Sequence, residues 1–214
     1  MKHKIRSRVL TVMLSLMFIV GLMPATVFAA EPDAPTTIQV NGTEILNSVN
    51  HTVSCGRGTA TYDTDSNTLT LDNAEINYKQ NSEDNDAGAI LFDGDLNIKL
   101  VGENTITSDT CGIRGTKAGT LTITGDSLTI DCTYYGIGIP IAGADITIDD
   151  ADIDITAKGV NDFTGVGIQA SGVLSIKNGA DIDATDVSHH PIIGNAGIEI
   201  EDSTVYAQQY TDYY

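Results

Sequence analysis

A short apolar phrase, in which one residue separates two Leu or Ile residues, recurs along the chain. Its six copies are 24 to 28 residues apart: LTL at 69–71, LNI at 96–98, LTI at 121–123, ITI at 146–148, LSI at 174–176 and IEI at 198–200. Each copy precedes a turn of Asp, Asn, Glu or Gly and a second alternating strand, and five of the units close with a third segment flanked by Gly or Pro. Short strands repeating every 25 residues or so predict an all-β fold, a single-stranded parallel β-helix (β-solenoid) of about six coils.

Stacking the copies on one another predicts the neighbours of each side chain. Leu121 is expected on Ile146 and Ile123 on Ile148, in apolar columns that run through every coil. The outward column between the apolar positions would read Thr70, Asn97, Thr122, Thr147, Ser175 and Glu199. This one column is Thr-rich, but no regular array of two columns forms, which disfavours the flat threonine surface of an ice-binding solenoid.

Two other folds stay open as alternatives. A leucine-rich repeat has a similar period, but each of its units needs one strand followed by a helix or an extended convex segment. A β-sandwich needs no fixed spacing between strands. After residue 30, no run of a dozen residues has the apolar spacing of a helix, so the β-helix remains the preferred fold.

The two ends of the chain differ from the repeat. Residues 1–30 are predicted to be a secretory signal peptide, because Lys and Arg residues precede an apolar run and ATVFAA offers a cleavage site after Ala29 or Ala30. Residues 31–67 are interpreted as an N-terminal β cap and residues 68–207 as the β-helix. Residues 208–214 form a C-terminal tail, which either covers the open end or marks a truncation from a longer chain.

Charge and cysteine content narrow the choice of partners. Without its first 30 residues the chain has 7 basic and 29 acidic residues, a net charge of −22. Such a surface repels phosphate backbones and anionic lipids, so neither nucleic acid nor direct membrane insertion is expected after signal cleavage. Cys55, Cys111 and Cys132 are too few for a disulfide framework; they permit one bridge, and separately buried thiols are favoured.

Three stretches suggest a family: GTATYDTDSNTLTLDNA at 58–74, DLNIKLVGENTIT at 95–107 and GTLTITGDSLTI at 119–130. Together they resemble secreted β-helix proteins of anaerobic Gram-positive bacteria, which are similar to pectate-lyase-like β-helices that bind plant polysaccharide with calcium. The resemblance spans residues 58 to 207. It implies a right-handed helix, a polysaccharide ligand, and a secreted, extracellular protein associated with the cell wall. It assigns no individual site residue.

Four aspartates form the most specific candidate site. Aligning DDADIDI at 149–155 with NGADIDA at 178–184 places Asp152 on Asp181 and Asp154 on Asp183, all facing outward. Like charges stacked about 5 Å apart repel each other, and a bound cation would reverse that cost. Calcium accepts several carboxylate oxygens in flexible geometry, so we expect Ca²⁺ as the cofactor, against the alternative of a hydrated acidic face.

Carbohydrate binding and catalysis make different demands on the outward residues. Tyr134, Tyr135 and Phe163 lie in corresponding turns of adjacent coils and are the candidate sugar platform, with ordinary turn packing as the alternative. A lyase would need an arginine base beside calcium, and Arg114 is instead expected to be an outward counter-charge. His189 and His190 are expected to be solvent-exposed.

Taken together, these residues predict a secreted or cell-surface module that binds polysaccharide with calcium and is not an enzyme. The alternative is a passive structural stalk or adhesin segment of a larger surface protein. The sequence leaves the oligomeric state open.

Overall fold

A computed structural model describes residues 33–80, 86–160 and 165–209. The predicted signal peptide, Phe163 and most of the C-terminal tail therefore lie outside the described residues. The described chain is almost entirely β-strand, with two short 3-10 turns at Ile45–Asn47 and Val49–His51 and no α-helix. No helix within these ranges is long and apolar enough to cross a membrane.

Three sets of strands repeat in order along the chain. The first set comprises β5 (Thr68–Asp72), the first halves of β8 (Leu96–Ser108) and β10 (Thr120–Cys132), β12 (Asp145–Asp149), β15 (Val173–Lys177) and β18 (Gly197–Ile200). The second set comprises β6 (Glu75–Tyr78), the second halves of β8 and β10, β13 (Asp152–Ala157), β16 (Asp181–Val187) and β19 (Thr204–Gln209). The third comprises β7 (Gly88–Phe92), β9 (Cys111–Gly115), β11 (Tyr135–Ile139), β14 (Val166–Ala170) and β17 (His190–Gly194).

Within each set, successive strands pair in parallel, as a solenoid requires. The described chain makes about five turns and adds the first two strands of a sixth. Coils of about 25 residues are confirmed, since Leu121 pairs with Ile146 and Ile123 with Ile148. This architecture confirms the parallel β-helix and excludes the leucine-rich repeat and the sandwich.

The predicted register of the first coil is wrong by two residues. Leu69 pairs with Ile98, and Leu71 with Leu100, so Thr68 rather than Thr70 lies beside Asn97. The reason lies in the second strands, where Ile76 pairs with Ile106. Between these paired segments, the corner from Asp72 to Glu75 is one residue shorter than the matching corner from Val101 to Thr105. The end of β5 therefore lies next to the end of the apolar run in β8.

The corner between first and second strands is a bend in the chain. TLTITGDSLTIDC forms one continuous strand, β10, where the sequence suggested two strands and a turn. Gly125 makes the bend with φ of 104°, and Asn73, Asp150, Asn178 and Asp202 are left-handed at the equivalent corners. Short polar side chains tolerate this conformation better than other non-glycine residues, which explains the Asp and Asn content of these turns.

The buried amide of Asn104 stabilises one corner. Its Oδ1 accepts the N–H of Ala74 at 2.9 Å, and its Nδ2 lies 3.2 Å from the carbonyl of Ser127 on the following coil. The Asn104 side chain thus connects three successive coils at one point.

The core consists of Leu, Ile and Val columns from all three strand sets. Close approach of the third strands to the second strands depends on a glycine column, Gly112, Gly136 and Gly167. A methyl group on Gly136 would lie 2.4 Å from Cγ2 of Ile155. No side chain larger than hydrogen fits there without a shift of the backbone.

Antiparallel strands cover the first coil. β1 (Ile38–Val40) pairs with β7 and with β2 (Thr43–Glu44), while β4 (Gly58–Asp63) pairs with β5 and with β3 (Thr52–Cys55). At the other end, the inward-facing Ile198 and Ile200 are 46% and 53% exposed. Antiparallel strands therefore cover one end of the described solenoid, whereas apolar side chains are partly exposed at the other.

A buried carboxylate attaches the N-terminal segment to the solenoid. Asp93 accepts hydrogen bonds from the backbone N–H groups of Thr36 and Thr37, at 2.7 and 2.9 Å, and pairs with the ammonium of Lys117. Burial alone would raise the pKa of Asp93, but the bonds from Lys117, Thr36 and Thr37 outweigh it and lower the pKa to about 2.

Candidate functional site

The two aspartate pairs lie where the sequence predicts. Asp152 pairs with Asp181, and Asp154 with Asp183, on the parallel strands β13 and β16. The intervening Ile153 and Ile182 are buried in the core, so the alternation of the strand directs all four carboxylates outward. Whether these residues bind a metal stays a prediction, but their stacking is confirmed.

One of the two pairs, Asp154 and Asp183, lines a groove. The second-strand groove has a volume of about 400 Å³, and its polar lining side chains are Thr129, Asp131, Asp154, Thr156, Lys158, Asp183 and Thr185. Asp152 and Asp181, two residues earlier on the same strands, lie outside it. The groove therefore combines hydroxyls, carboxylates and one ammonium group contributed by three adjacent coils.

Charge repulsion acts on the carboxylate of Asp154. Burial raises the pKa of Asp154, and the neighbouring charges of Asp183, Asp152 and Asp181 raise it further. Oδ1 of Asp183 is buried and has no hydrogen-bond partner. A carboxylate oxygen that is removed from water and has no donor is destabilising, and a ligand with positive charge or N–H and O–H donors would satisfy it.

The groove fits a weak calcium site better than a tight one. Asp154 and Asp183 are on neighbouring coils, and three threonine hydroxyls lie in the same groove. Nowhere in the described ranges do three or more His, Cys, Asp or Glu side chains converge as a metal-binding group. An ion here would take part of its oxygen shell from hydroxyls and water, which is typical of affinities near 10⁻⁴–10⁻³ M.

The aromatic candidates are not equivalent. Tyr134 is only 2% exposed, so its predicted place on an outward sugar platform is wrong. Burial alternates from Ile130 through Cys132 to Tyr134, so Tyr134 continues the inward-facing side of the strand. Tyr135 stays partly exposed. Its ring lies close to Gly138, where an added methyl group would come within 3.0 Å of Cγ of Tyr135.

Arg114 is buried, which corrects its predicted role as an outward counter-charge. The residue is 6% exposed, its guanidinium carbon lies 4.8 Å from the centre of the Tyr135 ring, and Nη2 lies 2.6 Å from Oδ1 of Asp86. The cation–π contact and the ion pair fix the orientation of the Tyr135 ring. Arg114 therefore supports Tyr135 from within.

A second depression is less suited to ligand binding. It has a volume of about 310 Å³ and is lined by Arg57, Asn73, Glu75 and Glu103. Arg57, its only cation, already pairs with Glu75 at 2.5 Å. His189 and His190 contact each other with ring centres 3.8 Å apart; His190 is exposed as predicted, whereas His189 is partly buried.

Comparisons of the chain with protein-family models, with curated proteins and with solved structures give no match. The groove geometry is therefore the basis for a functional proposal.

Sequence reasoning missed most of the groove lining. Thr129, Asp131, Thr156 and Lys158 were not singled out, although they occupy the outward positions beside and beyond the aspartates. The register would have placed Thr129 next to Asp154 and Asp131 next to Thr156. The repeat indicated these neighbours, but it did not indicate that they line one groove.

Proposed function

We propose that this protein is a secreted, non-catalytic β-solenoid that binds polysaccharide along the second-strand groove, with Ca²⁺ between Asp154 and Asp183. The observation that supports the proposal best is the buried, unpartnered Oδ1 of Asp183 in a groove that also contains hydroxyl groups. The export part of the proposal rests on the basic and apolar pattern of residues 1–30.

A sugar polymer suits the chemistry of the groove. Threonine hydroxyls both donate and accept hydrogen bonds, and carboxylates accept them, so the lining complements the hydroxyl groups of a sugar. Equivalent positions recur on successive coils about 4.8 Å apart, which favours a repeating ligand over a compact one. Tyr135, four residues after Asp131, offers an aromatic ring near the end of the same strand.

Catalysis is left out of the proposal on chemical grounds. The arginine that a lyase mechanism would use, Arg114, is buried and engaged by Asp86 and Tyr135. The pKa of Asp154 is raised, but partial burial and the neighbouring aspartates account for it, as they would in a purely charged surface groove.

Calcium binding is tested by thermal unfolding with calcium, with magnesium and with chelator. At 10 mM Ca²⁺ and a dissociation constant of about 1 mM, linkage predicts about 1.4 kcal/mol of stabilisation, or a rise in Tm of roughly 3 to 6 °C. The Asp154→Asn/Asp183→Asn variant should lose this rise. The matched control Asp152→Asn/Asp181→Asn removes the same charge on the same strands outside the groove and should keep it. An equal response of both variants would reject the site.

Polysaccharide binding is tested on an array of neutral, acidic and amino-sugar glycans, with and without chelator. We expect binding that falls at least tenfold in the Asp154→Asn/Asp183→Asn variant, because the groove then loses both its cation and its charged acceptors. Tyr135→Ala should weaken binding further if the ring contacts the sugar. No binding under either condition would favour the alternative function, a passive stalk or adhesin segment.

A further inference from the structure

Two of the three cysteines come together at the corner between the second and third strands. Cys111 begins β9, and Cys132 ends β10 on the following coil. The carbonyl of Thr110 accepts the backbone N–H groups of Thr133 and Tyr134, at 3.1 and 3.0 Å. The residue before Cys111 is thus bonded to the two residues after Cys132.

A second close approach brings the start of β9 to the end of β10. A methyl group on Gly112, the residue after Cys111, would lie 2.6 Å from Cγ2 of Ile130, two residues before Cys132. Cys132 is 4% exposed and Cys111 is fully buried. Burial raises the pKa of Cys132 far above its ordinary value, and the charge of Cys111 raises it further.

Cys55 differs from this pair. It lies in β3, in the antiparallel strands that precede the first coil, and its thiol is 3.7 Å from the carbonyl of Val53. Its pKa is raised by burial, with no contribution from another cysteine. Cys55 is therefore a control for the chemistry of a buried thiol in the same protein.

We propose that Cys111 and Cys132 form a disulfide bond between adjacent coils when the chain folds in an oxidising environment. The two thiols together lose two electrons and two protons as the S–S bond forms. Oxidised glutathione, or another small disulfide, accepts them by thiol–disulfide exchange, and its own S–S bond breaks to give two thiols.

The burial of the pair determines when the bond can form. The thiolate is the attacking species, so a thiol with a raised pKa and little exposure reacts slowly in the folded protein. The bond should therefore form during folding, and it should then resist reductants that do not unfold the protein. It closes a loop of about one coil, for which the loss of unfolded-state entropy predicts a rise in Tm of about 5 to 10 °C.

The experiment unfolds the protein in denaturant with dithiothreitol and refolds it in either oxidised or reduced glutathione. Intact mass should fall by about two hydrogens after oxidative refolding, and a proteolytic map should recover one cross-linked peptide pair containing Cys111 and Cys132, with Cys55 alkylated. The oxidised protein should melt about 5 to 10 °C above the reduced one. It should keep its bond in dithiothreitol until denaturant is added.

Two variants separate the disulfide from general effects of cysteine removal. Cys55→Ser should retain the difference in Tm between oxidised and reduced protein, and Cys111→Ser/Cys132→Ser should abolish it. Because the wild-type comparison needs no substitution, the proposal remains testable if the double variant does not fold. Three alkylated cysteines after oxidative refolding, or a bond that includes Cys55, would overturn the proposal.

Discussion

Asp154 carries an unfavourable charge in the folded protein. Its pKa is raised by burial first and then by three neighbouring aspartates, so the folded chain holds the proton of Asp154 more strongly than the unfolded chain does. The folded state therefore binds more protons in the interval between the two pKa values, and stability falls as pH rises through that interval. Above it, the charged carboxylate is a constant cost unless a cation is bound.

We predict that Asp154→Asn stabilises the protein at neutral pH in the presence of chelator. Removing the charge relieves its repulsion with Asp183, and because the site is exposed the gain should be below about 1 kcal/mol, or about 1 to 3 °C in Tm. The gain should vanish near pH 3, where the aspartate is protonated in both states. Thermal unfolding followed by circular dichroism at pH 3, 5 and 7 measures it.

Glu199→Gln is the control for this prediction. Glu199 is exposed on β18, away from the aspartate pairs, and its neutralisation should change Tm by less than the Asp154 variant does. A gain for Asp154→Asn that persists at pH 3 would show that the effect does not come from charge.

At the scale of elements, glycines allow the third strands to pack closely against the second strands. Gly136→Ala should destabilise the protein by about 2 to 3 kcal/mol, because the added methyl would lie 2.4 Å from Ile155 Cγ2 and 2.7 Å from the carbonyl oxygen of Gly167. Gly143→Ala is the control: its methyl meets nothing within 4 Å, and its φ of 82° predicts a cost of about 1 kcal/mol. Urea unfolding midpoints for the two variants give the comparison, and equal costs would contradict the role of close packing.

The strands could be predicted from sequence to different degrees. Period 2 and the 25-residue repeat were sufficient for the first and second strands, including the pairing of Leu121 with Ile146. The same two signals were insufficient for β5. Its two leucines can pair with either of two successive pairs among the three inward residues of β8, and the hydrogen bond from Ala74 to Asn104 at the corner favours the observed register. In the third strands, simple alternation of buried and exposed residues fails. Two consecutive residues are buried there: Ile137, and Gly136, which packs against Ile155.

The candidate site was predictable where it depends on register and unpredictable where it depends on shape. The stacking of Asp154 on Asp183 follows from aligned repeats. The burial of Tyr134 beside a partly exposed Tyr135 continues the alternation of Ile130 and Cys132, which the sequence-based prediction did not extend into the turn. The same turn buries Arg114 beneath the ring of Tyr135.

At the scale of the whole molecule, stability should be graded along the solenoid. Strand β10 has partners on both sides, whereas β18 and β19 each pair with one strand, and Ile198 and Ile200 are about half exposed. We predict that amides of β18 and β19 exchange with deuterium at least about tenfold faster than those of β10, since local opening there breaks fewer contacts. Native-state exchange read by mass spectrometry tests this, and uniform protection along the chain would contradict it.

The carboxylate of Asp93 makes the opposite end of the described solenoid less sensitive to acid than an ordinary aspartate would. Because its folded-state pKa is about 2, the stability contributed by its bonds to Thr36, Thr37 and Lys117 is complete above the ordinary aspartate pKa, declines as pH falls below that value, and is lost once pH passes about 2. Below a pH of about 4, the segment attached by Asp93 would therefore keep its place on the solenoid after most other carboxylates have become neutral.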